Sequence, residues 1–197
     1  MVNSINFLMV GVGGQGTILV SDILSEVGML AGYDAKKSDN MGLSVRGGAV
    51  SSHVRWDKNG VGSPMSMTGT VDVLVGSEPM ETMRSVQFLR KGAKIITNTY
   101  VMQPMSVSTG LAKYPTQQEI DQCFHAAADE VIAYDATNMA VELGNVKVMN
   151  IILLGTLSKM LDVDYDLWVE AIKKYVPAKQ QEINIKAFDA GRNMLRP

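Results

Sequence analysis

Cysteine is almost absent from this chain: its 197 residues include one, Cys123. A single thiol cannot close an intramolecular disulfide, build a cysteine-rich zinc site or hold an iron–sulfur cluster. Histidine is nearly as scarce, with His53 and His125 alone, so no dedicated transition-metal site is expected from the chain's own residues. No charge of one sign predominates. Eighteen basic against twenty acidic residues leave a net charge of −2, which gives no global electrostatic case for nucleic acid or an anionic membrane as partner. Long apolar runs are missing too. The longest, VMNIILLGTL from Val148, falls far short of the roughly 20 residues that span a bilayer. The N-terminal run MVNSINFLMVGVGG has no basic segment ahead of it and ends in glycines that read as a turn, so no export signal is expected. These absences point to a reduced, cytoplasmic setting.

The remaining composition is that of a globular domain: 46% hydrophobic and 19% charged residues. The length fits a single domain over 1–197 with a sizeable core. No internal repeat, low-complexity segment or long linker interrupts it. INFLMVG (Ile5–Gly11) reads as a buried parallel strand running straight into glycines. Gln15 to Leu30 carries helical apolar spacing and stops at Gly32. A short strand at Ala35–Ser38, a glycine-bearing loop over Asp39–Gly48 and a strand at Ala49–Trp56 follow. Asn59-Gly60 then marks a hairpin turn.

DVLVG (Asp72–Gly76) is a further buried strand, and Pro79 opens a helix reaching about Leu89. Lys91-Gly92 would end that helix before the strand AKIITN (Ala93–Asn98). Thr116 and Glu119 form the T-x-x-E signature of a capped helix over Thr116–Ala128. Glu130–Tyr134 is the last strand. Helices are expected at Ala136–Leu143, Lys147–Leu161 and Tyr165–Tyr175, with a final one from Gln180 to Leu195 after Pro177. Strands alternating with helices predict an α/β fold, a Rossmann-like doubly wound, mostly parallel sheet with a helical C-terminal tail.

The strongest local motif is GVGGQG, comprising Gly11, Gly13, Gly14, Gln15 and Gly16 around Val12. It fits G-x-G-x-x-G between a strand and a helix, where glycines permit a tight turn and the helix N-terminus attracts an anion. Taken alone it says dinucleotide. The acidic residue expected about 20 positions on is ambiguous, because Asp34 seats ahead of its strand and Asp39 comes late. A tight strand–helix turn without a ligand fits the motif equally well.

A second glycine-rich segment, SDNMGLSVRGGAVSSHVRW, places Arg46 beside Gly47 and Gly48. An arginine can grip a phosphate or carboxylate bidentately where glycines let it approach the backbone; a solvated arginine on a plain connection is the alternative. Both glycine segments are expected at the carboxyl ends of the strands, where open α/β sheets bind ligands and partners. His53 reads as a structural histidine, His125 as a surface residue and Cys123 as a small buried side chain. Fourteen methionines are many. Met65, Met67, Met80, Met83, Met102 and Met105 crowd the middle of the chain, and flexible thioethers suit either a core or a partner surface.

Together, GVGGQG, RGGAVSSHVR, Ser63-Pro64, DVLVGSEPMETMR, IITNT and NIKAFDAGR resemble the gamma-type subunit of the 2-oxoacid:ferredoxin oxidoreductases, the pyruvate/ketoisovalerate oxidoreductase family. The nearest branch is similar to the beta subunit of indolepyruvate ferredoxin oxidoreductases. The resemblance runs from Ile5 to Gly191. It implies oxidative decarboxylation of a 2-oxoacid, such as indolepyruvate or another aryl pyruvate, to an acyl-CoA. Thiamine diphosphate would form the carbanion and iron–sulfur clusters would pass electrons to ferredoxin. In the resembling family these groups sit on other subunits or domains, so this chain would bind no cofactor itself and be inactive alone.

The glycine segments, with Gly11, Gly13, Gly14, Gln15, Gly16, Arg46, Gly47 and Gly48, would then be an edge facing the partner's active site, where CoA and the 2-oxoacid react. No catalytic residue and no metal ligand is assigned. The indolepyruvate branch carries a His-Gly-Met-x-Gln-Arg-Gly-Gly loop, whereas this chain has Met41 and Val45 at the His and Gln positions. That departure leaves branched-chain 2-oxoacids open as substrates. A free-standing NAD(P)-binding oxidoreductase and a nucleotide-sensing regulatory module are the alternative functions. In isolation, exposed apolar surface could pair two copies into a homodimer.

Overall fold

The computed structural model describes residues 3–42, 47–103 and 105–195. Six strands form one sheet: β1 (Ser4–Val12), β2 (Asp34–Met41), β3 (Ala49–Asp57), β4 (Val71–Gly76), β5 (Leu89–Asn98) and β6 (Glu130–Tyr134). Their order is β2-β3-β1-β4-β5-β6. The pairs β1–β4, β4–β5 and β5–β6 are parallel; β3 alone runs against the rest, between β2 and β1. The sheet is mostly parallel, as expected. Its two halves wind outward from β1 and β4, which puts the switch in strand order between these two central strands.

Alternation along the strands sorts the core into two layers. Phe7 and Met9 of β1 join Val54, Trp56, Val73 and Val75 on one face. Against them pack α1 (Thr17–Leu30), α5 (Ala136–Glu142), α6 (Met149–Ser158), α7 (Tyr165–Tyr175) and α8 (Gln181–Arg192). Leu8 and Val10 point the other way, onto Leu74, Ile95 and the Ile120–Phe124 stripe of α4 (Gln117–Ala127). The short α2 (Pro79–Arg84) lies on the same side of β1 and β4, and α3 (Met105–Ser108) is a single turn. All ten residues of α6 are buried, which explains why its sequence is apolar all round. The capping box opens α4 as expected, with Thr116 Oγ1 accepting from Glu119 N–H and the Glu119 carboxylate accepting from Thr116 N–H.

Three expectations are corrected. Asn59-Gly60 does turn the chain, with Gly60 at φ +105° and Asn59 N–H donating to Asp57 Oδ1 at 2.8 Å. It does not join a hairpin, however: β1 lies between β3 and β4, and the hairpin partner of β3 is β2. Asp39–Met41, read as loop, extends β2, because each of these residues pairs with β3. The helix expected to reach Leu89 stops at Arg84, and after one 3₁₀ turn the strand begins at Leu89. Lys91-Gly92 therefore lies inside β5. Gly92, at φ +79°, sits where the pairing jumps from Val71–Leu89 to Val73–Lys94, a bulge that glycine makes accessible.

Candidate functional site

The carboxyl ends of β1, β4 and β5 meet the amino end of β3 along one edge of the sheet. Gly11 and Val12 close the buried part of β1, and Gly13, Gly14 and Gln15 carry the turn to Gly16, the N-cap of α1. Gly16 takes φ +79°, and a Cβ there would fall 2.2 Å from Asn150 Nδ2. Asn150, at the start of α6, donates to Gly16 O at 2.9 Å. That contact locks the turn to the helical layer and leaves no room for a side chain. Gly14, at φ +104°, has nothing within 4 Å of its missing Cβ and faces open space.

The Gln15 side chain turns inward. Its Oε1 accepts from Val12 N–H at 2.7 Å, and its Nε2 donates to Ser77 O at 3.1 Å. Ser77 follows β4 and receives a second donor, Asn98 Nδ2 at the end of β5, also at 3.1 Å. Asn98 continues to Thr137 Oγ1 at 2.9 Å. One chain of amide bonds thus stitches β1, β4, β5 and the start of α5 across the switch point. In a dinucleotide-binding sheet this crevice takes the ligand; here a protein amide occupies it.

The two glycine segments come together. Gly13 N–H donates to Gly48 O at 2.8 Å, and Met105 N–H donates to Gly47 O at 3.0 Å. Arg46 lies outside the described residues. Beside the turn, Gly14, Gln15, Tyr100, Met102, Thr137, Val146, Lys147 and Met149 line a cavity of about 170 Å³. Among the described residues lining it, Lys147 supplies the only formal charge.

On the other side of the turn, a cavity of about 300 Å³ lies among the ends of β1, β2 and β3 and reaches Glu81 and Ser85 of α2. Beneath it Glu78 is fully buried: its carboxylate caps α2, accepting from Glu81 N–H at 3.0 Å and from the Tyr114 hydroxyl. Burial holds the Glu78 carboxyl above the usual carboxylate range despite these two donors. Burial raises Glu81 likewise, against the Arg84 guanidinium 2.6 Å away.

The acidic candidates for a ribose are engaged elsewhere. Asp34 opens β2 and accepts from Val61 N–H at 2.7 Å. Asp39 binds Lys37 Nζ at 2.8 Å and Ser52 Oγ at 2.7 Å. Because β3 lies between β2 and β1, neither aspartate stands beside the glycine turn. His53 is buried in β3, its Nδ1 accepting from Ser66 N–H at 3.3 Å, and burial lowers its basicity. Among the described residues no group of three or more His, Cys, Asp or Glu could hold a metal ion. Cys123, the sole thiol, is only partly buried on α4 where a buried side chain was expected. With one thiol the residues do not fit an iron–sulfur cluster.

Sequence reading located the glycines and missed Ser77, Asn98, Asn150, Tyr100 and Lys147. Ser77 and Asn98 had a usable signal, since each directly ends an apolar strand on the edge where sites form. Asn150 had none, because it reaches Gly16 across 134 residues.

The fold and this edge define a Rossmann-like α/β domain that presents backbone and apolar side chains where its relatives in architecture present a nucleotide pocket. The chain belongs to the pyruvate ferredoxin/flavodoxin oxidoreductase family, whose model matches residues 6–194. It is 34% identical over 189 residues to the indolepyruvate oxidoreductase subunit IorB of Pyrococcus horikoshii, covering 94% of this chain and 93% of that one. To the subunit of the same name from Archaeoglobus fulgidus it is 34% identical, covering 96% and 94%. Among solved structures, the gamma subunit of a keto/oxoacid ferredoxin oxidoreductase from Geobacter sulfurreducens shares the fold, with a TM-score of 0.70 at 23% identity, over 96% of this chain and 97% of that one. A 2-oxoglutarate:ferredoxin oxidoreductase from Magnetococcus marinus contains it as 31% of its chain, with a TM-score of 0.73 at 16% identity over 98% of this chain.

Proposed function

We propose that this chain is the gamma-type subunit of a thiamine-diphosphate-dependent 2-oxoacid:ferredoxin oxidoreductase that acts on an aryl pyruvate such as indolepyruvate. The reaction converts the 2-oxoacid anion and CoA thiol into acyl-CoA, carbon dioxide, one proton and two electrons, and ferredoxin takes the electrons. One observation carries this reading: end-to-end similarity to subunits named for indolepyruvate oxidoreductase, at 34% identity to those of Pyrococcus horikoshii and Archaeoglobus fulgidus. With one cysteine, the chain leaves the clusters to partner subunits, and thiamine with them. Its own part is to shape the partner's active site, in the cytoplasm. Gly13, Gly14, Gly47 and Gly48 bring backbone close to that site, Gly11, Gln15 and Gly16 hold the turn from behind, and Arg46 meets an anion of CoA or substrate.

Co-expression with the neighbouring large subunit tests this. The complex is expected to reduce ferredoxin with an aryl pyruvate at a higher kcat/KM than with pyruvate or 2-oxoglutarate, while the isolated chain is colourless, inactive and silent in an NADH fluorescence titration. A preference for 2-oxoglutarate would overturn the substrate, and micromolar NADH binding would restore the dinucleotide reading. Arg46→Ala is expected to raise KM for CoA or the 2-oxoacid; unchanged assembly, kcat and KM would end its proposed role.

A further inference from the structure

The sheet has two outer strands, and they are finished differently. β6 is five residues long, and a short edge strand resists pairing with other chains. β2 is eight residues long, contains no proline and pairs with β3 without a bulge from Asp34 to Met41. Its two lysines are turned onto their own chain and do not guard the edge. Lys36 Nζ donates to Val61 O at 2.7 Å, and Lys37 Nζ binds Asp22 at 2.6 Å and Asp39 at 2.8 Å.

The ladder decides which main-chain groups face outward. In an antiparallel pair, directly opposed residues alternate between exchanging both hydrogen bonds and exchanging none. Gly42 N–H donates to Ala49 O at 3.3 Å, so in the register of β2 with β3 the bonded residues of β2 are Asp34, Lys36, Ser38 and Asn40. The bond from Gly13 N–H to Gly48 O, at 2.8 Å, turns the alternate residues of β3 toward β1, as that pattern requires. Ala35, Lys37, Asp39 and Met41 therefore point N–H and C=O away from the sheet. Among the described residues no hydrogen bond from another part of the chain reaches those groups.

We infer that β2 pairs antiparallel with β2 of a second copy of this chain, about a two-fold axis at Ser38, so that the two sheets become one. The occupant is argued from register and charge. Antiparallel pairing sets outward residues only against outward residues. An axis at Ser38 is the one placement in which all four find a partner: Ala35 opposes Met41 and Lys37 opposes Asp39, each twice by symmetry. An axis at Lys37 would set that lysine against itself, and one at Asp39 would do the same to the aspartate; like charges directly opposed are destabilising. Lys37 points toward α1, where it meets Asp22. An inward charge on an edge strand turns away an apolar strand, whereas Asp39 of a second copy answers it. Met41, 69% exposed, gains Ala35 of the second copy as cover. This inference goes beyond the proposed function and does not rest on it.

Sedimentation of the full chain at micromolar concentrations, combined with disulfide trapping, is the test. Wild type is expected to show a monomer–dimer equilibrium. Ala35→Pro deletes an N–H that the chain's own ladder does not use, a change that edge strands tolerate. It is expected to raise the dimer dissociation constant about tenfold or more, for the two bonds lost by symmetry. A thermal melt checks that the fold survives; if it does not, the cysteine variants decide alone. Ser38→Cys, made together with Cys123→Ala, sets two thiols across the axis at a Cα separation of about 4.5 Å, inside disulfide range, and is expected to yield a cross-linked dimer on mild oxidation. Asn40→Cys in the same background leaves its two Cα atoms about 14 Å apart and is expected to stay unlinked. A wild-type chain that is monomeric throughout overturns the inference. So does a dimer that a folded Ala35→Pro leaves unchanged, or one that Asn40→Cys links as readily as Ser38→Cys. None of these outcomes touches the oxidoreductase reading, which stands or falls on the assay of the co-expressed complex.

Discussion

The contact between α6 and α8 and the turn after β1 use the same amino acid for opposite purposes. Between the helices, Gly155 and Gly191 let two backbones touch: an added Cβ would meet Phe188 O at 2.1 Å and Ile152 O at 1.8 Å respectively. Thr156 Oγ1 donates across the same contact to Gly191 O at 2.9 Å. These glycines are consumed by the fold. At the turn, Gly14 bends the backbone outward with no atom over it, and the bonds that fix it lie behind, through Gln15 and Asn150. The contrast teaches that a glycine's neighbours decide its meaning. Where protein atoms fill the space the Cβ would take, the glycine serves packing. Where nothing fills it, the backbone is available to something outside the chain.

The largest expected effect tests the packed side. Gly191→Ala forces two helices apart, and overpacking of this kind costs about 3 kcal/mol or more, roughly a 6–12 °C fall in Tm for a domain of this size. A melt within 2 °C of wild type would break the contrast there. Next comes the support behind the edge. Gln15→Ala removes both amide bonds and leaves Val12 N–H unpaired, at a cost of about 2 kcal/mol in denaturant unfolding.

Gly14→Ala is smaller in stability, about 1 kcal/mol, because the strain is confined to φ and no atom is struck. Its sharper consequence is expected in the complex, where the new methyl stands against whatever covers the turn, and affinity for the partner falls. If Gly14→Ala costs as much as Gly191→Ala in the isolated chain, the edge is not open and the comparison fails.

The smallest effect concerns Glu78, whose carboxyl burial raises. A raised acid binds its proton more tightly in the folded chain. Its stabilising contribution is therefore complete below the unfolded value of about 4.5 and is lost as pH climbs through the folded one. Glu78→Gln carries no such loss, so the Tm difference between variant and wild type should move in the variant's favour from pH 4.5 to pH 7.5. A difference that does not change with pH would show that the carboxyl titrates as it does in water.

Much of the fold could be read locally. The strand Glu130–Tyr134 and the helix Tyr165–Tyr175 stand where their periodicity places them. The Thr116–Glu119 box is real because capping depends on four consecutive residues. The start of β5 was missed because its first residues, Leu89–Gly92, pair across a bulge that only the neighbouring strand reveals. The hairpin was misplaced for a similar reason: Asn59-Gly60 makes a turn by its own chemistry, but which strand lies beside which is not a local property. At the site, the glycines declared themselves, whereas the hydrogen-bonded chain through Gln15, Ser77, Asn98 and Thr137 joins four separated segments, and the strand ends that mark Ser77 and Asn98 do not reveal that chain.

The sequence by itself determined the α/β alternation, the glycine turn at the end of the first strand and, through a single cysteine, that this chain builds no iron–sulfur cluster. Each follows from residue type, spacing or count. Only the tertiary structure decided that β3 separates the acidic end of β2 from the glycine turn, that Gln15 fills the crevice at the switch point, and that Gly13 and Gly48 bring the two glycine segments together. Those facts depend on contacts between residues far apart in the chain, whose free energy belongs to the packed sheet and to none of its strands alone.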